Sequence, residues 1–295
     1  MRIAVAGGSG FLGTPLVQRL REDGHQVSVL TRRPSHAHDV FWNPADTSGM
    51  WAMVVEGADA VINLAGESIA GRRWTSARKA ALRDSRLQAT RAIVTAMTQG
   101  ARTPAALLNA SAVGIYGPHG DEPLAEDTPP GSDFLARLGM EWEAEAMAAA
   151  SKSRVVLLRT GIALDAGGGA LRQMARPFYF MAGGPLGSGR QYVSWIHRAD
   201  WVAMVCWALT RTAVSGPLNV TAPDPVTNRE LTRTLGRVLR RPAVLPAPAF
   251  ALRLVLGEMA DAIVTGQRVL PAKALSLGFQ FRYPEIEAAL RKIYG

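Results

Sequence analysis

A chain of 295 residues with 48% hydrophobic and 19% charged residues has the apolar content for a sizeable core, which excludes a disordered or low-complexity protein. Thirty-three Lys and Arg against 24 Asp and Glu give a net charge of +9, a balance that suits nucleic acid, an anionic surface or a small anionic ligand. The basic residues are dispersed over helix-like stretches such as 72–91 and 229–241, without interleaved aromatics or a nucleic-acid-binding signature. The expected partner is therefore a small molecule and not nucleic acid.

The opening MRIAVAGGSG is too short and too broken by glycine to serve as a signal-peptide core. The most apolar region, Leu245–Val264, is interrupted by Arg253, Glu258 and Asp261, so no membrane association is expected. A single cysteine, Cys206, lies in the apolar run Trp201–Leu209 and has no internal disulfide partner. It reads as a small buried hydrophobe in a reducing compartment, and the expected location is the cytoplasm.

In chain order, the patterns predict a strand over Ile3–Ala6, a helix over 11–23, strands over 26–30 and 60–64, and a long helix over 76–99. Strands over 107–111 and 155–159 follow, with a helix over 133–150 between them. Strands alternating with helices imply parallel strands joined by crossovers, hence an α/β fold of the Rossmann type with a doubly wound parallel sheet. Beyond Thr160, glycine and proline become dense (Gly167–Gly169, Gly183–Pro185, Gly187, Gly189) and the alternation is lost. The expected division is a dinucleotide-binding domain over 1–165, with 199–221 returning to it. A smaller C-terminal α/β lobe then spans 166–295, closed by a helix over 284–293.

The first strand runs directly into Gly7-Gly8-Ser9-Gly10-Phe11-Leu12-Gly13, which opens the first helix. This spacing puts glycine where a turn needs positive φ, where backbone approaches a pyrophosphate, and where helix packs on strand. Free amides at the helix start, around Phe11, Leu12 and Gly13, face the phosphates with the helix dipole behind them. About 20 residues on, an NAD site presents an acid to the ribose. Here the chain offers Thr31-Arg32-Arg33 and no carboxylate. A guanidinium pairs with a 2′-phosphate, so the expected cofactor is NADP(H), held in part by Arg32 and Arg33.

Together with further segments, this turn resembles the extended short-chain dehydrogenase/reductase superfamily, in its atypical epimerase-like family with a distinct C-terminal domain. The segments are Asn63-Leu64-Ala65-Gly66-Glu67, Ser111-Ala112-Val113-Gly114-Ile115-Tyr116-Gly117, Phe134-Leu135-Ala136 with Trp142-Glu143, and Gly184-Pro185-Leu186-Gly187-Ser188-Gly189. Ser194-Trp195-Ile196-His197-Arg198-Ala199-Asp200, Asn219 with Ala222-Pro223, and Pro271 near Gly278-Phe279 extend it over essentially the whole chain. The resemblance implies that Leu64, Ala65, Gly66 and Glu67 line the cofactor and that Arg86 and Ser111 lie near its nicotinamide. It also implies a Tyr-x-x-x-Lys pair before Glu143, but Leu135 and Gly139 stand at those places, so the superfamily's proton relay is absent. Ser111 or Ala112 falls at the hydroxyl position.

The residues left to carry chemistry are Ser111, Tyr116 and His197, with Glu141 a weaker candidate and each having a structural alternative. His25, His36, His38 and His119 lack ligand spacing, so no metal is expected. Two functions follow. One is an NADP(H)-binding, epimerase-like oxidoreductase acting on a small polar substrate, with Arg86 suited to an anionic one. The other is a non-catalytic NADP(H)-binding sensor or scaffold, as in relatives linked to cell division.

Overall fold

The computed structural model describes residues 1–46, 49–69 and 73–295. Arg72, at the head of the arginine-rich stretch, lies outside them. Seven parallel strands form the main sheet, in the order Gly216–Val220, Arg154–Thr160, Ala106–Ala112, Ala60–Asn63, Arg2–Ala6, Gln26–Thr31 and Asp39–Phe41. The first strand is thus central, with its successor on one side and Ala60–Asn63 on the other. The direction of winding reverses there, which opens a crevice beyond the strands' carboxyl ends.

Alternation along the strands builds two apolar layers. Ile3 and Val5 face the helices Gly13–Glu22 and Arg198–Thr210, meeting Leu16, Val17, Leu20, Trp201 and Val205. Ala4 and Ala6 face the other side, toward Met50–Glu56, Ser76–Gln99 and Phe134–Met147, where Trp51, Ile93, Met97 and Ala146 pack. Alanine at those strand positions leaves room for tryptophan opposite. Cys206 is partly exposed and packs against the first layer, where burial pushes its thiol up to about 11. At neutral pH it is a thiol and a poor nucleophile.

A third core belongs to the C-terminal part. Leu171 and Phe178 of helix Gly169–Tyr179, Leu231 and Leu235 of Asn228–Leu239, and Ile286 and Leu290 of Ile286–Tyr294 close around Trp195. Its strands are only pairs: Ile162–Leu164 with Trp195–His197, Tyr192–Val193 with Val226–Thr227, and Arg268–Val269 with Pro123–Leu124. The glycines and prolines between them stop longer ladders from forming, so the lobe is mainly helical.

One carboxylate fastens this lobe to the sheet. Asp200, 2% exposed at the start of its helix, accepts from the backbone N–H of Arg282 at 2.9 Å and of Tyr283 at 2.8 Å. Asp200→Ala leaves both donors without an acceptor and is expected to lower unfolding stability by about 2 kcal/mol. Asp200→Asn, which keeps one acceptor oxygen, is expected to lose roughly half as much. Urea denaturation of the two variants checks the order, and an unchanged midpoint for Asp200→Ala refutes the fastening.

Candidate functional site

The crevice at the reversal is a cleft of about 1190 Å³. Its floor is the glycine turn. Gly7 sits at φ +75°, and a Cβ there would lie 2.8 Å from the carbonyl carbon and oxygen of Leu64. Only glycine lets the turn close on the neighbouring strand's exit. Gly13 has no space either, since its Cβ would meet the Gly7 oxygen at 2.2 Å. Gly10 differs: a Cβ there would touch only that oxygen, at 3.2 Å, and the residue lines the cleft. The helix that follows has no side-chain cap and no acidic residue in its first turn, so its N-terminus is open to an anion. Leu12 packs against the core. Phe11 is covered by Gly168, Gly169 and the Arg198 guanidinium, 5.3 Å from its ring, and Asp165 holds that guanidinium at 2.8 Å.

Arg32 and Arg33 are exposed at the end of the second strand and line the cleft with Trp42, Asn43 and Pro44. Neither forms an ion pair among the described residues. The carboxylates on the lining are Glu67 and Asp84, both beyond the turn from these arginines in sequence and element. The Trp42–Ala45 wall follows the short edge strand, which carries no clear strand signal in the sequence.

The opposite wall is Leu64–Glu67, held from behind by two arginines of the long helix. Arg78 donates to the Glu67 carboxylate and to the Ser68 carbonyl. Arg86, 6% exposed, donates to the carbonyls of Leu82 and Glu67, both at 2.9 Å, and stacks 5.1 Å from the Trp142 ring. A Cβ on Gly66 would meet Arg86 at 3.2 Å, so the guanidinium occupies the space that glycine leaves. Burial and the nearby Arg78 pull Arg86 down to about 10, and it remains a cation at neutral pH.

Positions 135 and 139, where the resemblance would put a Tyr-x-x-x-Lys pair, are packed against neighbours. Leu135 lies against Gly114 and joins an apolar cluster with Trp74, Leu82, Phe134 and Met259. Gly139 faces Ile115, whose Cβ would stand 3.0 Å from an added Cβ, so a lysine there would have to displace a buried side chain.

Polar groups nearby are bound to one another. Ser111 donates to Glu143 at 2.6 Å, and Arg159 pairs with both oxygens of that carboxylate at 2.9 Å. Arg159 also donates to the Tyr116 hydroxyl at 2.9 Å, while the hydroxyl donates to Asn219 at 2.7 Å. Tyr116 is fully buried, and burial raises its phenol despite the cation beside it. Burial alone would lower Arg159, but Glu143 outweighs it and holds the guanidinium above its usual range. The structure thus joins Ser111 to Tyr116 through Glu143 and Arg159. His197 lies elsewhere: its Nδ1 accepts from the Ala199 N–H at 3.1 Å, capping a helix, and its ring stacks 4.1 Å from that of Tyr283. Burial lowers it from the ordinary histidine range, so it is neutral at pH 7. Glu141 is half-buried and paired with Arg83. Ser111, Tyr116, Arg86 and His197 do not line the cleft. Among the described residues no group of His, Cys, Asp and Glu is placed to hold a metal, and no helix is long and apolar enough to cross a membrane.

Comparison with known proteins completes the description. Residues 3–221 match the NAD dependent epimerase/dehydratase family, and residues 247–293 match a domain of unknown function, DUF1731. The chloroplastic homolog of epimerase family protein SDR39U1 from Arabidopsis thaliana is 43% identical over 303 residues, covering 99% of this chain and 86% of the relative. SDR39U1 of Mus musculus is 39% identical, covering 99% of both chains. A crystal structure of human SDR39U1 (isoform2) with NADPH superposes with a TM-score of 0.93 at 36% identity, covering 100% of this chain and 99% of the other. The chain therefore belongs to the NAD dependent epimerase/dehydratase family, in the SDR39U1-like form that carries the DUF1731 region at its C-terminal end.

Proposed function

We propose that this chain binds NADP(H) in the crevice and serves as an epimerase-like oxidoreductase for a small polar substrate, without the Tyr-x-x-x-Lys relay of its superfamily. The observation that carries the reading is the pair Arg32 and Arg33, exposed and unpaired on the cleft wall where an NAD site would need an acid. NADPH in the human relative supports it. The residues fit the cofactor: Gly7 and Gly10 give the backbone access to a pyrophosphate, and the uncapped helix start offers amides and the positive end of its dipole. Arg32 and Arg33 would hold the 2′-phosphate, and Leu64–Glu67, braced by Arg78 and Arg86, would form the opposing wall. When bound, the dinucleotide supplies or accepts a hydride. A cytoplasmic site of action agrees with the lone Cys206 thiol.

A second reading, cofactor holding without turnover, is favoured by one observation. The hydroxyls of Ser111 and Tyr116 are bound inside the Glu143–Arg159 network, and His197 Nδ1 caps a helix. In that reading Tyr116 and Ser111 support the sheet end and move no proton.

Cofactor choice is tested by fluorescence titration. NADPH is expected to bind about ten- to a hundredfold more tightly than NADH, the worth of one or two charge-assisted contacts, and Arg32→Ala to close most of the gap. Gly10→Val is expected to lose both dinucleotides with only a small drop in melting midpoint, because its Cβ would meet one protein atom, the Gly7 carbonyl oxygen at 3.2 Å, while its methyl groups would occupy the space a pyrophosphate needs. Equal affinities for the two cofactors would remove the reading.

Turnover separates oxidoreductase from binder. With nucleotide sugars or simple carbonyl compounds, NADPH oxidation is expected to stay near background. For any substrate that does react, Tyr116→Phe is expected to leave kcat within about threefold, whereas loss of a proton carrier costs 10²-fold or more. A loss of that size, or rapid turnover of a nucleotide sugar, would assign Tyr116 the catalytic part.

A further inference from the structure

A second cavity, of about 360 Å³, lies between the helices Gly169–Tyr179 and Ile286–Tyr294 of the C-terminal lobe. Its polar lining is Arg172, Gln173, Arg176, Tyr179 and Tyr294. Arg172, Arg176 and Tyr179 fall on one stripe of their helix by i, i+4 and i+7 spacing. The adjacent stripe, Leu171, Ala175 and Phe178, is buried in the lobe core and fixes how the first stripe is presented. Tyr294 approaches from the other helix, half-buried.

None of these five side chains makes a hydrogen bond or ion pair among the described residues, and all but Tyr294 are exposed, so their polar groups are open to a ligand. Two guanidinium groups one turn apart, with no carboxylate between them, repel each other. Asp165 lies in the electrostatic field of Tyr294 but is taken by Arg198 at 2.8 Å. Burial, with Tyr179 and Asp165 close by, pushes the Tyr294 phenol up to about 12, so it stays a neutral donor. The cavity thus presents two exposed guanidinium groups, two phenol hydroxyls and an amide, with no carboxylate on its lining. Its size is that of a small-ligand site.

We propose that this cavity is a second binding site, separate from the cofactor cleft, for a small molecule bearing a phosphate monoester. Arg172 and Arg176 clasp the phosphate oxygens, which accept charge-assisted hydrogen bonds from both guanidinium groups. The Tyr179 and Tyr294 hydroxyls donate to the remaining oxygens, and their rings flank the carbon part of the ligand. The proposal does not depend on the identity of the cofactor.

Calorimetric titration of the full chain with phenyl phosphate tests it. NADPH is kept saturating, so the phosphate contacts of the cleft are occupied, and chloride holds ionic strength constant. Saturable millimolar binding is expected, weakened at least tenfold in R172Q/R176Q and about threefold in Tyr294→Phe, with wild-type melting midpoints. Arg32→Ala is expected to leave it unchanged. Absence of saturable binding overturns the proposal, as does binding that survives R172Q/R176Q. Binding lost in Arg32→Ala alone would move the anion to the cofactor cleft and equally overturn it.

Discussion

The structure turns on the contact between Gly7 and the backbone of Leu64 and Ala65. Two parallel strands leave the sheet side by side, and the loop after one must cross close to the loop after the other. A side chain at residue 7 would bring carbon to 2.8 Å from the Leu64 carbonyl, inside any tolerable contact distance. The absence of that one carbon fixes the height of the cleft floor. It also sets where the first helix begins, and so where its unpaired amides point. The second strand, paired in register with the first from Gln26 to Leu30, then delivers Arg32 and Arg33 to the rim of the same cleft. The shape and charge of the cleft are the consequence of one close approach and two strand lengths.

Farther along the same carboxyl edge of the sheet, polar groups are bound to one another. Glu143 and Arg159 form an ion pair, with side chains 9% and 7% exposed. Burying two charges is costly unless geometry and further hydrogen bonds offset the desolvation. Here Ser111, Tyr116 and Asn219 supply those bonds, and Arg159 adds one to the Glu126 carbonyl at 3.0 Å. Glu126 in turn accepts from the N–H groups of Asn219 and Lys273, so the network reaches the C-terminal region. A tyrosine so placed has its hydroxyl committed in both directions, as donor and as acceptor. On the next helix Leu135 packs on Gly114 and Gly139 on Ile115, so the same region is consolidated by packing as well as by ion pairing.

How much of this was legible in the sequence depended on the range of the interaction. The glycine turn, the central strand and the long helix Ser76–Gln99 follow from local spacing and apolar period, and the chain folds there as expected. The edge strand Asp39–Phe41 and helix Met50–Glu56 are short, and their signals are too weak to separate from a loop, so the Trp42–Ala45 wall was missed. Helix Gly169–Tyr179 was hidden by the glycines before it and by Pro177 within it. The Glu143–Arg159 pair lay furthest out of reach. Both residues were visible, one as a landmark on a helix and the other as the end of a strand, but nothing local says that a helix and a strand will set them face to face. Sequence reading names the groups that could do chemistry; only the fold reveals which of them are already spoken for.

The positive charge of the chain takes its meaning from that same distinction. Many arginines are neutralised where they stand: Arg19 by Asp23, Arg83 by Glu141, Arg102 by Asp59, Arg237 and Arg291 by Glu287. Surface pairs of this kind contribute little to stability but cancel the local field. Arg32 and Arg33 on the cleft, and Arg172 and Arg176 on the smaller cavity, carry no such partner among the described residues. An evenly spread excess of +9 would give a weak, general attraction to polyanions. Arg32 with Arg33, and Arg172 with Arg176, add to that general field a local concentration of positive charge at two concave places, while exposed arginines such as Arg211, Arg233 and Arg241 keep the general field in place.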